Sequence, residues 1–316
     1  MKIVLLEPIG IPATELKKLQ NNFRENGHEF VSYKDRQADE EILIDRAKDA
    51  EVLILSNIPL TGKVIKACPK LKMISVAFAG VDHIDMATCN AQNIIVSNGG
   101  DYSSHAVAEL TIGMAISLFR KFRKMEAALR DNATRNNFLG NELYGKTFGI
   151  IGTGSIGSEI AKLAHAFGCK ILAYNRSKHP AKYIKYTDLK NLLQNSDIVS
   201  VHIPLSSETE HLIGKNEISF MKETSILINT ARGPIVDYKA LSNALQNDEI
   251  AGAAIDVYEK EPPIEKEHPL LQHENCLLMP HIGYATNEAI ERRWKIVIDN
   301  VMQWMEGKPQ NLMNAF

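Results

Sequence analysis

Three short segments carry the residue types that hydride chemistry at a carbonyl needs. Asn229-Thr-Ala-Arg232-Gly-Pro holds a guanidinium, Asp256-Val-Tyr-Glu-Lys-Glu261-Pro-Pro holds carboxylates, and Met279-Pro-His281-Ile-Gly holds an imidazole. Each follows a short apolar run that reads as a buried strand, and in an open α/β sheet ligands collect at the carboxyl ends of such strands. Arg232 is suited to grip a carboxylate and polarise the neighbouring carbonyl through its fork of donors. Imidazoles titrate near neutrality, so His281 is suited to give a proton to a developing alkoxide and to take it back in the reverse direction. Glu261 is suited to hold that ring and favour its protonated form. The set fits reduction of a 2-keto acid by hydride. The ordinary alternatives are a surface ion pair for Arg232, a solvated loop charge for Glu261 and a structural histidine for His281.

A hydride donor needs its own site. Gly152-Thr-Gly154-Ser155-Ile156-Gly157 fits G-x-G-x-x-G, follows the strand-like TFGII and opens a helix predicted over Ser155–Phe167. That setting is what a dinucleotide-binding turn requires. Gly152 serves the tight turn, Gly154 the approach of a pyrophosphate, and Gly157 close helix–strand packing. The helix N-terminus offers free N–H groups to phosphate. The alternative is a plain glycine-rich turn. The next strand ends in Tyr174-Asn175-Arg176-Ser177-Lys178. An NAD enzyme places a carboxylate there for the ribose 2′-hydroxyl. None is present, and Arg176, with donors from Ser177 and Lys178, suits a 2′-phosphate. NADP is therefore expected in preference to NAD, the alternative being NAD beside solvated loop cations.

Two other matches carry little. Gly140 to Thr147 fits the phosphate-loop pattern GxxxxGK[ST], but a polar connector precedes it and a strand follows, the reverse of the order such a loop needs. His268, His273, Cys276 and His281 lie close together without the spacing of a compact zinc motif, so no metal is expected.

The elements that must position these groups alternate along the chain. Strands are predicted over Lys2–Leu6, Glu29–Tyr33, Val52–Leu55, Met73–Val76 and Ile94–Val96, separated by helices over Thr14–Asn26, Asp39–Asp49 and Thr61–Ala67. A second block holds six strands, over Thr147–Ile151, Lys170–Tyr174, Ile198–Val201, Ser225–Asn229, Ala251–Ile255 and Cys276–Met279. Strand–helix alternation implies mostly parallel sheets covered by helices. Between the blocks, Tyr102–Lys124 reads as one long helix, apolar nearly all round and hence buried, followed by a polar connector over Arg130–Asn141. An amphipathic helix over Asn287–Glu306 is expected to return to the first block.

The chain has 316 residues, which suits two domains, and 36 basic against 38 acidic side chains, a net charge of −2. That balance argues against a nucleic-acid partner. The apolar run Leu110–Phe119 is too short to cross a bilayer, so no membrane association is expected. The opening MKIVLLEPIG reads as a strand rather than a signal peptide. Four scattered cysteines, none in CxxC, suggest reduced thiols and a cytoplasmic location.

In combination these segments resemble the D-isomer-specific 2-hydroxyacid dehydrogenases. The resemblance rests on VAEL at Val107–Leu110, GIIGTGSIG, HIPLSSET at His202–Thr209, NTARGPIVD, AAIDVYEKEPP and PHIG. It implies an α/β fold of two doubly wound parallel-sheet domains, a Rossmann dinucleotide-binding domain (101–284) inserted into a flavodoxin-like substrate domain (1–100 plus 285–316). It implies Arg232, Glu261 and His281 as the catalytic set and Asp256 near the nicotinamide carboxamide. Backbone contacts to the cofactor are implied at Ser155, Ile156, Ile203 and Thr230, with Pro204, Thr209, Ala231 and Gly283 beside them. Ala79-Gly80-Val81 resembles the loop whose amides bind the substrate carboxylate, and Tyr102 stands where a residue often faces substrate. Most relatives are homodimers joined through the region that is 103–145 here. The family's N-T-P-G-Y-S stretch is here Asn98-Gly-Gly-Asp101-Tyr-Ser, without its proline. Leu55 and Pro59 replace positions that are often basic in phosphoglycerate dehydrogenases, and Ala77-Phe78-Ala79 suggests a small apolar pocket. The expected substrate is therefore a small 2-keto acid such as glyoxylate or hydroxypyruvate. The alternatives are a D-3-phosphoglycerate, formate or phosphite dehydrogenase, or a dinucleotide-sensing scaffold that recruits partner proteins. No regulatory extension is expected after Phe316.

Overall fold

The computed structural model describes residues 1–135, 137–177, 181–260 and 263–314. The chain divides into two units, Met1–Ser103 with Thr286–Phe316, and Ser104–Ala285.

The first unit is built on β1 (Lys2–Leu5), β2 (Glu29–Ser32), β3 (Val52–Leu55), β4 (Met73–Val76) and β5 (Ile95–Ser97). Their order is β2-β1-β3-β4-β5, every pair parallel. This is the flavodoxin-like winding. VLIL and MISV are buried throughout because both faces of these strands are covered, which is why they read as unbroken apolar runs. Asp39 starts one covering helix by accepting from the amides of Glu41 and Ile42, and Asp85 starts another by accepting from Thr88. The helix Asn287–Met305 packs Trp294, Val297, Ile298 and Val301 into a core with Ile3, Leu5, Val52 and Ile54. Ser75 in β4 donates its hydroxyl to the Val297 carbonyl at 2.9 Å.

The second unit holds β6 (Thr147–Ile151), β7 (Lys170–Tyr174), β8 (Ile184–Tyr186), β9 (Ile198–Val201), β10 (Ile226–Asn229), β11 (Gly252–Ile255) and β12 (Cys276–Leu278). All neighbours are parallel, in the order β8-β7-β6-β9-β10-β11-β12. Counted from β6 this is 3-2-1-4-5-6-7, the dinucleotide-binding order with one added strand. Seven strands stand where six are expected. The extra one is β8, a three-residue edge strand paired only with β7 whose central Lys185 is exposed, so it carries no apolar run to betray it.

The long helix is also corrected. It ends at Arg120, Lys121 turns left-handed with φ 48°, and a second helix runs Phe122–Arg130, into the predicted connector. The Phe119 carbonyl accepts from the Asn141 amide at 3.1 Å, so the chain returning at 140–141 takes an acceptor that a continuing helix would use. The second helix buries none of its side chains, so no packing enforces continuation. The stretch matching the phosphate-loop pattern runs into β6, since Thr147 is that strand's first residue.

Cys68, Cys89, Cys169 and Cys276 are buried free thiols. Burial pushes the first three up to about 11 and Cys276 to about 12. No helix among the described residues is long and apolar enough to cross a membrane, and none of these residues form a metal-ligating cluster.

Candidate active site

β6 delivers the glycine turn. Gly152 has φ +97°, and a Cβ there would overlap the His202 carbonyl. A Cβ on Gly157 would overlap the Gly152 carbonyl oxygen, whereas one on Gly154 meets nothing within 4 Å. Two glycines are thus required by packing, and the third leaves the backbone open to approach. The helix Ser155–Ala166 begins with no side-chain cap, so the amides of its first turn, from Ser155, Ile156 and Gly157, are left for another acceptor. The open face at Gly154 and these amides fit a dinucleotide pyrophosphate. Gly157→Ala should weaken cofactor binding at least about tenfold by displacing this turn, as read by fluorescence titration of NADPH. Binding within twofold of the parent would remove the turn from the site.

At the end of β7, the Asn175 side-chain amide donates to the Ser177 carbonyl, which leaves Arg176 projecting, 85% exposed. Its guanidinium lies 3.6 Å from Glu208, which is also exposed. Glu208 is a partner that sequence reading misses, because it comes from the loop after β9. Lys178 lies outside the described residues. In the β9 loop, Thr209 donates to the Pro204 carbonyl at 2.7 Å and accepts from the Ser206 amide at 2.8 Å, which closes the segment that starts at Ile203. His202 has Ser200 Oγ 2.6 Å from its Nε2, and burial pushes its imidazole down to about 3, so it stays neutral at working pH.

β10, β11 and β12 are successive neighbours with Asn229 opposite Ile255 and Ile255 opposite Leu278. Arg232, Asp256 and His281 therefore emerge at the same end of three adjacent strands, with the outer backbones separated by roughly 10 Å from the usual strand spacing. Asn229 is fully buried and shapes the Arg232 turn. Its side-chain amide donates to the Arg232 carbonyl and to the Tyr238 hydroxyl, each at 2.9 Å, and its Oδ1 accepts from the Ala231 amide at 3.0 Å. The Arg232 guanidinium donates to the Ala231 carbonyl at 2.8 Å. Thr230 Oγ1 lies 3.4 Å from Thr111 Oγ1. A Cβ on Gly233 would overlap the Tyr258 backbone, so glycine lets the segment after β11 run directly against the Arg232 turn.

Asp256 is 1% exposed, and its two oxygens accept from the amides of Ile282 at 2.8 Å and Gly283 at 2.7 Å. The carboxylate thereby anchors the turn carrying His281, which has φ 55°. Tyr258 donates its hydroxyl to the Met279 carbonyl at 3.0 Å, and the Tyr284 ring stands edge-on to the imidazole at 5.4 Å. Glu261 lies outside the described residues. Asn229, Gly233 and Tyr258 are the residues that sequence reading misses here; strand order brings Gly233 and Tyr258 to their contacts, whereas Asn229 bonds within its own turn and to nearby Tyr238.

In the first unit, Ala79-Gly80-Val81 follows β4, and the Val81 carbonyl accepts from the Ile84 amide at 3.0 Å. Tyr102 is buried, its ring centroid 5.8 Å from the Arg293 guanidinium and its carbonyl accepting from Arg292 Nε at 3.0 Å.

The sequence model described as "D-isomer specific 2-hydroxyacid dehydrogenase, NAD binding domain" matches residues 112–283, more than half of the chain. The chain belongs to the D-isomer-specific 2-hydroxyacid dehydrogenases. It is a nicotinamide-dependent oxidoreductase of the CH–OH group. This dehydrogenase is 34% identical over 316 residues to a glyoxylate reductase of Korarchaeum cryptofilum, covering 96% of this chain and 93% of that one. It is 39% identical over 282 residues to a D-3-phosphoglycerate dehydrogenase of Methanocaldococcus jannaschii, covering 87% of this chain but 53% of the relative, about half its length. Among solved structures, an acyclic imino acid reductase in complex with NADPH and D-arginine superposes with a TM-score of 0.92 at 30% identity, covering 99% of this dehydrogenase and 100% of that chain.

Proposed function

We propose that this dehydrogenase reduces a small, unphosphorylated 2-keto acid such as glyoxylate or hydroxypyruvate, with NADPH preferred to NADH. The observation that carries the reading is the emergence of Arg232 and His281 from nearby strand ends, on turns held by Asn229 and Asp256. Bound nicotinamide supplies the hydride. Arg232 holds the substrate carboxylate and draws electron density toward the carbonyl oxygen. His281 donates the proton that turns the developing alkoxide into a hydroxyl, and takes it back in oxidation. Glu261 is the residue assigned to orient the imidazole. Asp256 acts on His281 through the backbone of Ile282 and Gly283. In the first unit, the amides of Ala79-Gly80-Val81 and the side chain of Tyr102 are the groups assigned to substrate binding. Ser155, Ile156, Ile203, Pro204, Thr209, Thr230, Ala231 and Gly283 line the cofactor.

The loop after β3 supports the unphosphorylated substrate. The amides of Ser56, Asn57 and Ile58 donate to Glu7 Oε1 at 2.7, 3.0 and 3.0 Å, and Arg36 lies 3.4 Å from Glu7 Oε2. A buried carboxylate thus occupies the donors that a phosphate would need. The deciding experiment is NADPH and NADH oxidation against a panel of 2-keto acids that includes 3-phosphohydroxypyruvate. Preference for the phosphorylated member overturns the reading, and tight cofactor binding without turnover on any member favours a sensing scaffold.

For the cofactor, the absence of a carboxylate at 175–177 and the exposure of Arg176 support a 2′-phosphate, as does the NADPH in the imino acid reductase structure. An exposed ion pair is worth about 1 kcal/mol or less, so Glu208 releases Arg176 readily. Arg176→Ala should raise the Kd for NADPH about tenfold and leave that for NADH within twofold. Equal effects on both would end the 2′-phosphate argument.

A homodimer through 103–145 is supported by four large apolar side chains on that segment, Phe122 at 53%, Leu129 at 74%, Leu139 at 79% and Tyr144 at 78% exposure. Monomers rarely leave so much apolar surface open. Four buried thiols fit a reducing compartment and support the cytoplasm.

A further inference from the structure

We propose that Asn98 is a positioning residue that locks the Ala79-Gly80-Val81 loop, backed by a relay of asparagines that ties this loop to residues 310–314. The inference rests on the reading of that loop as the cradle of the substrate carboxylate.

Every hydrogen-bonding group of Asn98 is used. Its side-chain amide donates to the Ala79 carbonyl at 2.6 Å, and its Oδ1 accepts from the Gly100 amide at 2.9 Å. Its backbone amide donates to the Asn311 carbonyl at 3.0 Å, and its own carbonyl accepts from the Asn300 side chain at 2.8 Å. A second link to the loop comes from the Gly99 amide, which donates to the Phe78 carbonyl at 2.9 Å. A side chain tied at both ends, on a backbone tied at both ends, has one geometry.

The backing is equally defined. Asn300 is fully buried in the helix Asn287–Met305, and its Oδ1 accepts from the Asn311 side chain at 2.8 Å. The segment after that helix lies antiparallel to the edge of β5, with Ser97 opposite Leu312 and the Met313 amide donating to the Val96 carbonyl at 2.8 Å. Ser97 Oγ donates to the Gln310 carbonyl at 2.7 Å, and the Val96 amide donates to Asn314 Oδ1 at 2.9 Å. The edge of β5 is thereby covered. The path runs from Asn311 through Asn300 and Asn98 to the Ala79 carbonyl. That carbonyl, once accepting, orients the peptide plane whose N–H belongs to Gly80.

The chemistry sets the test. Asn98→Asp keeps size and the Oδ1 acceptor but places a carboxylate oxygen against the Ala79 carbonyl, where a donor stood. Asn98→Asp and Asn98→Ala should each raise the KM for the keto acid about tenfold or more, while the Kd for NADPH stays within twofold. A residue with a merely structural role would lower Tm and the active fraction without moving KM. For Asn98→Asp, the KM defect should shrink as pH falls toward 5, because a protonated carboxyl regains a donor. Asn311→Gly, which suits the φ of 51° there and deletes only the side-chain bond to Asn300, should raise KM by about twofold to threefold and guards against a misfolded Asn98 variant. Gly80→Pro, which removes one amide of the cradle, tests the underlying reading separately. If Gly80→Pro raises KM and neither Asn98 nor Asn311 variants do, the relay is wrong and the cradle stands. If Gly80→Pro leaves KM unchanged, the cradle itself falls, and the relay with it.

Discussion

Replacing His281 with Ala lowers kcat about a thousandfold near neutral pH and leaves the Kd for NADPH within twofold. The argument is one of proton supply. Hydride delivery to a carbonyl carbon leaves charge on oxygen, and a positioned acid removes that charge as it forms. The imidazole sits on a turn that Asp256 anchors through two amides, so losing the ring does not release the turn. The backbone at 281 has φ 55°, where alanine is strained by about 1 kcal/mol. His281→Asn is therefore the companion variant, since Asn accepts this conformation and supplies no acid at neutral pH. Both should lose kcat alike, measured with saturating NADPH and glyoxylate. A kcat within threefold of the parent in either one would falsify the acid role.

Arg232→Ala should reduce kcat/KM by about a thousandfold, with both constants moving. Two charge-assisted hydrogen bonds to a carboxylate, at about 1.5–3 kcal/mol each, account for a loss of that order. Arg232→Lys should recover only part of it, because a point ammonium cannot reproduce the fork. The fold should not suffer. Its turn is held by Asn229 through the Arg232 carbonyl and by the glycine contact at 233, neither of which uses the guanidinium. Unchanged Tm together with partial rescue by added guanidinium ion is the expected signature. Normal kinetics in the alanine variant would take Arg232 out of the site.

Much of this protein could be read from residues close together in the chain. In the β6 turn, Gly152 is demanded by its own positive φ and Gly157 by the Gly152 carbonyl five residues earlier, so spacing exposes them. The central strands of both sheets, covered on both faces, appear as continuous apolar runs. The chemical types at Arg232 and His281 and their placement after strands were equally legible. By contrast, β8 carries no hydrophobic signal because an edge strand with an exposed centre needs none. The break at Lys121 was hidden because it is favoured by the Asn141 amide, which returns from beyond the next helix.

The sequence by itself determined two wound parallel sheets, a dinucleotide turn and a guanidinium–imidazole pair following buried strands. Tertiary structure alone decided that Asp256 anchors the His281 turn, that Glu7 fills the β3 loop and that Asn98 grips Ala79. The division has a physical cause. Steric demands and burial periodicity are set by neighbours along the chain, whereas most of these hydrogen bonds join residues whose meeting depends on strand order and register.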